Sequence, residues 1–222
     1  MQFLYHPDAG LPSITVEGEA YRYLFKVRRR KAGDSVALRN LKDSYLCSYR
    51  IESVSKREAI LLFEEKREFE VMPPKRLHIG WCIIDPKSVE KSLPTLNELG
   101  IWKISFIYCD RSQKSFTLDP GRMKRILVNS SQQCGRSEMM ELETLGSIEE
   151  YLEKYPDSAI LDFGGSPLGC EARIDSILVG CEGGFSEEER KLFENMTIYG
   201  LDTPLILRSE SAVAAVGARL IL

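Results

Sequence analysis

The chain has 222 residues, of which 43% are hydrophobic and 28% charged, and its formal net charge is −3. This composition is that of an ordinary globular protein with room for one large or two modest domains. No apolar run is long enough to cross a bilayer, and the start, Met-Gln-Phe-Leu-Tyr-His-Pro, lacks a basic segment followed by an apolar stretch. We therefore expect a cytoplasmic protein with neither a membrane span nor a secretory signal.

The cysteine and histidine pattern does not favour metal chemistry. The six cysteines contain no CxxC pair, and the two histidines are His6 and His78. This pattern predicts no zinc site and no other metal site. We expect free, mostly buried thiols, as in a reducing cytosol, at Cys47, Cys82, Cys109, Cys134, Cys170 and Cys181.

The first part of the chain has the pattern of a small β domain. Short runs with partial alternation, DSVALRN, SYLCSYRIESV and EAILLFEE, are separated by turn-forming residues. Three or more such strands predict a small barrel or sandwich. The sequence Met72-Pro73-Pro74-Lys75 is a stiff, non-helical break, so we predict domains at residues 1–72 and 73–222.

A basic run lies within this first domain. KVRRRK, from Lys26 to Lys31, places five cations in six residues of a mildly acidic chain. By itself such a run is slightly more typical of a solvated face than of a phosphate-binding patch.

Strands and helices alternate after residue 73, which predicts a mostly parallel sheet covered by helices. The first strand, Leu77–Ile84, is a continuous apolar run, as expected of a strand buried on both faces. The further strands are predicted at Lys103–Cys109, Ser158–Phe163, Ser176–Gly180 and Thr197–Gly200. Helices are predicted at Ser88–Leu99, Gly121–Gln133, Ile148–Lys154, Glu187–Asn195 and from about Ser209 to Leu220.

A glycine-rich loop joins a strand to a helix in ILVGCEGGFSEEER, Ile177–Arg190. One interpretation is a plain tight turn, and another is a loop around a small molecule at the carboxyl end of a strand. Ser186 and Glu189 match a capping box, and the glutamates of this first turn argue against a phosphate ligand. A neutral or cationic ligand fits better, and S-adenosylmethionine, which has no phosphate and a positive sulfonium, is a candidate.

The segment before the last helix places an arginine after an apolar run. Leu205–Leu207 is interpreted as a buried strand that leads directly into Arg208. A guanidinium at the end of a buried strand is costly unless it is paired, with Glu210 or Glu182 as possible partners, or contacts a ligand.

The helix Gly121–Gln133 is basic on its surface and ends in Gln-Gln-Cys-Gly-Arg. Amides and guanidinium groups at a helix end are more often caps, but they also bind bases and phosphates. The candidates for such contacts are Arg122, Arg125, Gln133 and Arg136.

These segments, in this order behind a small β domain, resemble the RsmE family of SPOUT-class methyltransferases over essentially the whole chain. VGCEGGFSEEE is similar to the family's IGPEGGF-S-x-x-E loop, LILRSESA to ILRxETA, and SQQCGR to AEQxGR. NELG followed by DRS is similar to ELG…ERS, and YLFKVRRRKAGD to HxxxVLRxxxGD. The chain departs from these motifs at Cys181 (proline in the family), Tyr23 (histidine), Gln132 (glutamate) and Ser211 (threonine).

The resemblance implies an S-adenosylmethionine-dependent enzyme that methylates N3 of a uridine in 16S ribosomal RNA. It implies a PUA-like β-barrel that binds RNA, followed by a SPOUT α/β domain with a trefoil knot. It also implies three segments that enclose the cofactor, with the residues Leu161, Asp162, Phe163, Gly164, Val179, Gly180, Cys181, Glu182, Gly183, Gly184, Leu201, Leu205, Ile206, Leu207 and Ser211.

For catalysis we expect Arg208 to stabilise the uridine anion, while Glu210 or Glu182 orients it or takes the proton. The choice between the two carboxylates stays open at this point. Contacts to the RNA backbone are expected from Arg28, Arg29, Arg30, Lys31, Arg122, Arg125, Gln133 and Arg136.

The expected partners are 16S ribosomal RNA or the small ribosomal subunit and, from the resemblance, a second copy of the chain in a homodimer. Two alternatives remain: a knotted methyltransferase acting on another RNA nucleotide, and a non-catalytic dimeric RNA-binding protein.

Overall fold

The computed structural model describes residues 2–222. The described chain divides into two compact units, residues 2–72 with 128–139, and residues 73–127 with 140–222. The first unit thus contains a segment, 128–139, that the predicted division at residue 72 assigns to the second domain.

The first unit is built on a five-stranded sheet of order β1-β3-β4-β5-β2. Its pairs are antiparallel except β1 with β3, which is parallel. Register shifts in the β4–β5 pair interrupt the ladder, and bulges of this kind bend and twist a sheet. The strands are β1 (Leu4–Tyr5), β2 (Ser13–Glu17), β3 (Ser35–Arg39), β4 (Tyr45–Val54) and β5 (Glu58–Glu68).

A helical segment between β2 and β3 was not predicted from the sequence. It starts as the short helix α1 (Gly18–Tyr21) and continues as a π-helix over Arg22–Val27. Tyr21 and Leu24 face the core of the first unit, where they join apolar side chains of the strands such as Tyr49 and Leu61. The basic run Lys26–Lys31 therefore begins at the end of a π-helix, an element that is often found at functional sites.

The second unit has a six-stranded sheet in which every recorded pair is parallel, in the order β11-β9-β10-β6-β7-β8. This confirms the parallel sheet predicted from the alternating pattern. The strands are β6 (His78–Cys82), β7 (Lys103–Ile107), β8 (Glu141–Leu145), β9 (Ala159–Pro167), β10 (Ser176–Val179) and β11 (Ile198–Gly200). The helices that lie wholly in this unit are α2 (Pro86–Leu99), α4 (Ile148–Lys154), α5 (Glu187–Lys191) and α6 (Ser209–Ile221), while α3 (Pro120–Cys134) begins in it and ends in the segment 128–139 of the first unit.

Helices α2 and α6 pack together within this unit, and small residues permit the approach. A Cβ atom at Gly217 of α6 would lie 3.1 Å from the Ile101 side chain, closer than most real contacts. Helix α2 ends at Gly100, whose φ of +93° is the left-handed conformation that glycine adopts at low cost.

Two predicted elements differ from the structure. Leu205–Leu207 is not a strand and is not buried, since Leu205 is 71% exposed and Ile206 is 82% exposed. Helix α5 ends at Lys191 rather than at Asn195, and turns follow it. The apolar run before Arg208 is therefore a surface loop, so the predicted buried strand is wrong.

Candidate functional site

A cavity of about 620 Å³ lies at the carboxyl edge of the parallel sheet in the second unit. It is formed by the carboxyl-terminal part of β9, the ends of β10 and β11 with the loops that follow them, Arg111 after β7, Arg190 of α5 and the start of α6. Open α/β sheets place their ligands at this edge, because the loops after parallel strands meet there.

The structure brings nearly all the predicted cofactor-binding residues around this one cavity. Ser211 does not line it, since it lies on the exposed side of α6. The predicted residues that do line it are Leu161, Asp162, Phe163, Gly164, Val179, Gly180, Cys181, Glu182, Gly183, Gly184, Leu201, Leu205, Ile206 and Leu207.

The loop from Gly180 to Gly184 is held in one conformation by backbone and side-chain contacts. The Gly184 N–H donates to the Cys181 carbonyl over 2.9 Å, and Gly184 has a φ of +67°. At Gly183 a Cβ atom would lie 3.2 Å from the Arg111 side chain, whose guanidinium donates to the Gly183 carbonyl. Of these glycines, Gly184 is therefore required for its backbone conformation, and Gly183 for a close contact.

A buried serine ties this loop to the sheet and to helix α6. The Ser209 hydroxyl donates to the Gly180 carbonyl over 2.6 Å and accepts a hydrogen bond from the Trp81 indole over 2.8 Å. Trp81 is fully buried in β6 and Ser209 is 4% exposed. This serine was not predicted as a site residue, although it stands between the predicted Arg208 and Glu210.

The predicted capping box at α5 is confirmed. The Ser186 hydroxyl accepts from the Glu189 N–H over 3.1 Å, and the Glu189 carboxylate accepts from the Ser186 N–H over 2.7 Å. The same carboxylate also accepts from the Asp110 N–H over 2.7 Å, and burial raises the pKa of Glu189. Glu189 thus connects the segment after β7 to the end of the glycine loop.

Two cations at the cavity were missed by sequence reasoning. Arg190 donates to both oxygens of Asp162, over 2.7 and 3.2 Å, and so joins α5 to β9. Arg111, which anchors on Gly183, comes from the DRS motif that supported the resemblance. Arg111 could have been found from its position in the DRS motif. Arg190 could not, because an arginine in a charged helix is usually an ordinary surface residue.

The three predicted catalytic residues are placed differently from one another. Glu182 lines the cavity and is exposed, whereas Arg208 and Glu210 do not line it. Arg208 is exposed and precedes the first turn of α6, and within residues 2–222 its guanidinium has no ion pair with Glu182 or Glu210. The expectation that it needs a partner at the end of a buried strand is wrong, because water solvates it. Its neighbours Leu207 and Ser209 both line the cavity.

Three thiols meet beneath the glycine loop. The Sγ atoms of Cys109 and Cys181 are 3.5 Å apart, and the Cys109 Sγ lies 3.1 Å from the Ser112 hydroxyl. Hydrogen bonding with Cys181 and Cys82 lowers the pKa of Cys109, whereas burial raises the pKa of Cys82. Within residues 2–222 none of the six cysteines forms a disulfide, and Cys170 is exposed, which the sequence did not reveal.

In the first unit, the predicted RNA-binding residues Arg28, Arg29, Arg30 and Lys31 are all exposed. The Arg28 Nε donates to the Tyr23 hydroxyl over 2.6 Å, and its guanidinium lies 5.3 Å from the centre of that ring. Arg29 has a φ of +55°, which is uncommon for a residue with a side chain. Arg28 and Arg30 border a second cavity of about 450 Å³ beside Tyr23.

The remaining predicted RNA contacts fall into two groups. Arg122, Arg125 and Gln133 are exposed, and Arg122 pairs with Glu90 over 2.8 Å. Arg136 is only 3% exposed, and burial lowers its pKa to about 10. In this conformation Arg136 is not accessible to an RNA backbone, so its placement differs from the prediction.

Residues 2–222 contain neither a membrane-spanning helix nor a metal-binding cluster. No helix in this range is long and apolar enough to cross a membrane. No group of three or more His, Cys, Asp or Glu side chains in the same range is arranged to hold a metal ion.

Comparison with known protein families gives matches over most of the chain. The family described as RNA methyltransferase domain matches residues 71–221, and the family described as RNA methyltransferase PUA domain matches residues 16–64. The Ribosomal RNA small subunit methyltransferase E of Helicobacter pylori strain J99 is 40% identical, with 98% of each chain covered. The protein of the same name from Aquifex aeolicus is 27% identical, with 91% of each chain covered.

Solved structures show the same fold over nearly the whole length. The Neisseria gonorrhoeae Ribosomal RNA small subunit methyltransferase E, bound to S-adenosyl methionine, superposes with a TM-score of 0.83 at 20% identity. A putative methyltransferase from Legionella pneumophila, in complex with bound SAM, superposes with a TM-score of 0.81 at 22% identity. In both comparisons 98% of this chain and 95% of the other chain are covered.

Proposed function

We propose that this chain, which belongs to the family of ribosomal RNA small subunit methyltransferases E, transfers a methyl group from S-adenosylmethionine to N3 of a uridine in 16S ribosomal RNA. The observation that carries this proposal is the cavity at the carboxyl edge of the second sheet, with its glycine loop anchored on Ser209 and Glu189. The identity of the methylated atom rests on the resemblance described above.

The lining of the cavity suits S-adenosylmethionine better than a nucleotide phosphate. The cations that border it are already engaged, Arg190 with Asp162 and Arg111 with the Gly183 carbonyl. Glu182 and Asp202 leave carboxylates near the opening, which favours a ligand with a positive charge. The exposed backbone of the glycine loop permits close approach by a flat ring such as adenine.

The cofactor, when bound, supplies an electrophilic methyl carbon. The chain must then orient the uridine and stabilise the charge that develops when N3 loses its proton. We assign the second task to Arg208, whose exposed guanidinium is free to reach a base placed against the cavity. Glu182 lines the cavity and Glu210 does not, so Glu182 is the better supported of the two proposed bases.

RNA binding is proposed for the exposed cations of both units. In the first unit these are Arg28, Arg29, Arg30 and Lys31. We propose that they belong to an RNA-binding domain at residues 1–72, the range predicted from the sequence. In the rest of the chain they are Arg122 and Arg125, with Gln133 as a polar contact. Phosphate contacts of this kind give an affinity that falls steeply with salt concentration.

We further propose a homodimer, a trefoil knot in residues 73–222 and a location in the cytoplasm. Support for the dimer comes from apolar side chains beside the cavity that a monomer leaves in water: Phe163 is 73% exposed, Leu205 71% and Ile206 82%. The proposal for the knot follows from family membership. A second chain that covered these residues would also close the cavity.

The test of the activity uses the purified full chain, labelled S-adenosylmethionine and 16S ribosomal RNA that lacks its natural methyl groups. Both free RNA and assembled small subunits are offered. Nuclease digestion and mass spectrometry should locate one labelled methyl group on N3 of one uridine. Label on another nucleotide would show that the proposed specificity for N3 of a uridine is wrong. Cofactor binding without any transfer would contradict the enzyme proposal and favour an RNA-binding protein.

The role of Arg208 is tested with the variant Arg208→Ala and with Arg219→Ala, at the other end of the same helix, as its control. Arg208→Ala should lower turnover about 100-fold or more and change cofactor affinity little, because the guanidinium acts on the base. Equal losses of turnover and of cofactor affinity would contradict the assignment.

A further inference from the structure

We propose that Cys109 and Cys181 form a modification site for hydroperoxides, at which a disulfide joins the glycine loop to the end of β7 and lowers the affinity of the cavity for its ligand. The covalent step is independent of the proposed function. The effect on S-adenosylmethionine rests on that function.

The two thiols are in contact in the folded chain, although 72 positions separate them in the sequence. Cys109 follows β7 and Cys181 follows β10, and β6 lies between these two strands in the sheet. Their Sγ atoms are 3.5 Å apart, so they must approach by about 1.5 Å to reach the length of a disulfide bond. A loop and a strand end accommodate such a shift more easily than two packed strands do.

The cavity gives a small oxidant access to this pair. Cys109 and Cys181 are only 5% and 6% exposed, but Cys181 is part of the cavity lining. Cys82, the third thiol, is fully buried and does not line the cavity. A ligand in the cavity should therefore slow the oxidation of this pair, which distinguishes it from a surface thiol such as Cys170.

The reaction balances with one molecule of hydrogen peroxide and no other reagent. The sulfur of Cys109, the thiol of the pair that loses its proton more readily, attacks the peroxide, so that an S–O bond forms, the O–O bond breaks and water leaves, with a sulfenic acid on Cys109. The Cys181 sulfur then attacks that sulfur, an S–S bond forms, the S–O bond breaks and a second water leaves. The two thiols are oxidised, hydrogen peroxide is reduced, and both thiol protons end in water.

Movement of Cys181 changes the loop that forms one wall of the cavity. The Cys181 carbonyl accepts the Gly184 N–H, and the preceding carbonyl, of Gly180, accepts the Ser209 hydroxyl. A displacement of Cys181 toward β7 strains both hydrogen bonds and alters the wall. The device depends on a residue at which this chain departs from the family motif, where proline is usual.

The experiment treats the full chain with hydrogen peroxide, with and without saturating S-adenosylmethionine, and maps disulfides by mass spectrometry without reduction. We expect a linked peptide that joins Cys109 to Cys181, formed more slowly when the cofactor is present. Calorimetry should show that oxidation raises the cofactor Kd about tenfold or more, and that dithiothreitol restores it.

Matched variants are Cys109→Ser, which removes one member of the pair, and Cys170→Ser, which removes an exposed thiol. Oxidation should leave the Kd of Cys109→Ser unchanged and should still raise the Kd of Cys170→Ser. Three results would overturn the inference: no linked peptide under conditions that oxidise Cys170, linkage with an unchanged Kd, or equal linking rates with and without cofactor. The last comparison needs only the natural chain, so it stands even if Cys109→Ser does not fold.

A failure of the proposed function gives a different result from a failure of this inference. If the reduced chain does not bind S-adenosylmethionine, the proposed function fails, while the mapping of the disulfide still tests the covalent step. If the reduced chain binds the cofactor and no Cys109–Cys181 peptide forms, only the thiol pair is refuted.

Discussion

The substitution Ser209→Ala should destabilise the second unit strongly for the loss of a single oxygen atom. It removes the acceptor of the Trp81 indole N–H and the donor to the Gly180 carbonyl, at 2.8 and 2.6 Å. Trp81 is fully buried, so water cannot replace the lost acceptor. A buried donor without a partner costs about 1–3 kcal/mol, and the lost bond to Gly180 adds about 1 kcal/mol. We expect a loss of about 2–4 kcal/mol in the free energy of unfolding.

Urea denaturation followed by circular dichroism measures this loss. Ser211→Ala is the matched control, because Ser211 stands on the same helix but is exposed, and it should cost less than about 0.5 kcal/mol. Trp81→Phe, alone and combined with Ser209→Ala, completes a double-mutant cycle. The cycle should give a coupling energy of about 1–2 kcal/mol, because neither single variant retains the hydrogen bond.

The cofactor titration adds an independent readout. If Ser209 positions the glycine loop, Ser209→Ala should weaken S-adenosylmethionine binding at a temperature where the variant is still folded. The reasoning would be refuted if Ser209→Ala cost no more stability than Ser211→Ala, or if the coupling energy were zero.

Three further predictions follow from the same structure. Gly184→Ala should lower the free energy of unfolding, measured by urea denaturation, by about 1 kcal/mol, because Gly184 has a φ of +67°. Gly180→Ala, whose Cβ would meet ordinary contacts at 3.4 Å, should lower it clearly less. Equal losses for the two variants would contradict the assignment of the turn. Gly165→Ala places a Cβ atom 2.5 Å from the main-chain carbon of Tyr199, which cannot rotate away, so the thermal midpoint should fall by more than for either of these variants. His78 is buried, and desolvation lowers its pKa to about 4 from 6.5, so the unfolded chain takes up this proton first as the pH falls. Stability should therefore drop by up to about 3 kcal/mol between pH 6.5 and pH 4, and the variant His78→Gln should lose this part of the pH profile.

The sheet of the second unit was predictable because its central strands are continuous apolar runs. His78–Cys82 is buried at every position, as expected of a strand that is covered on both faces. The edge strand Glu141–Leu145 was not predicted, since its sequence, ELETL, has only two apolar residues, breaks the alternation of a half-buried strand and carries two glutamates, which are uncommon in strands. An edge strand is covered less completely, so its residues carry a weaker signal.

The cavity was predictable from motifs and local rules, but the exposure of its residues was not. An apolar run such as Leu205–Leu207 indicates burial on average, yet the path of the chain after β11 leaves it in water. Conversely, an arginine after a glycine, as in Gly135-Arg136, has the pattern of a surface residue, yet Arg136 is buried. Both outcomes depend on contacts made by residues far away in the sequence, which periodicity does not record.

The contacts that shape the cavity explain why sequence reasoning missed Ser209 and Arg190, and found Glu189 only as a helix cap and not as an anchor for Asp110. Each of these side chains joins a helix to a segment far away in the sequence through hydrogen bonds, so it leaves no periodic apolar pattern that could reveal the contact. Hydrogen bonds of this kind fix a loop in one conformation with few atoms, whereas apolar packing needs a broad surface that the open edge of a sheet lacks. A site built at such an edge therefore depends on a few polar anchors. Replacing any one of these anchors should lower the affinity for the ligand by changing the conformation of the loop, even where the anchor does not contact the ligand.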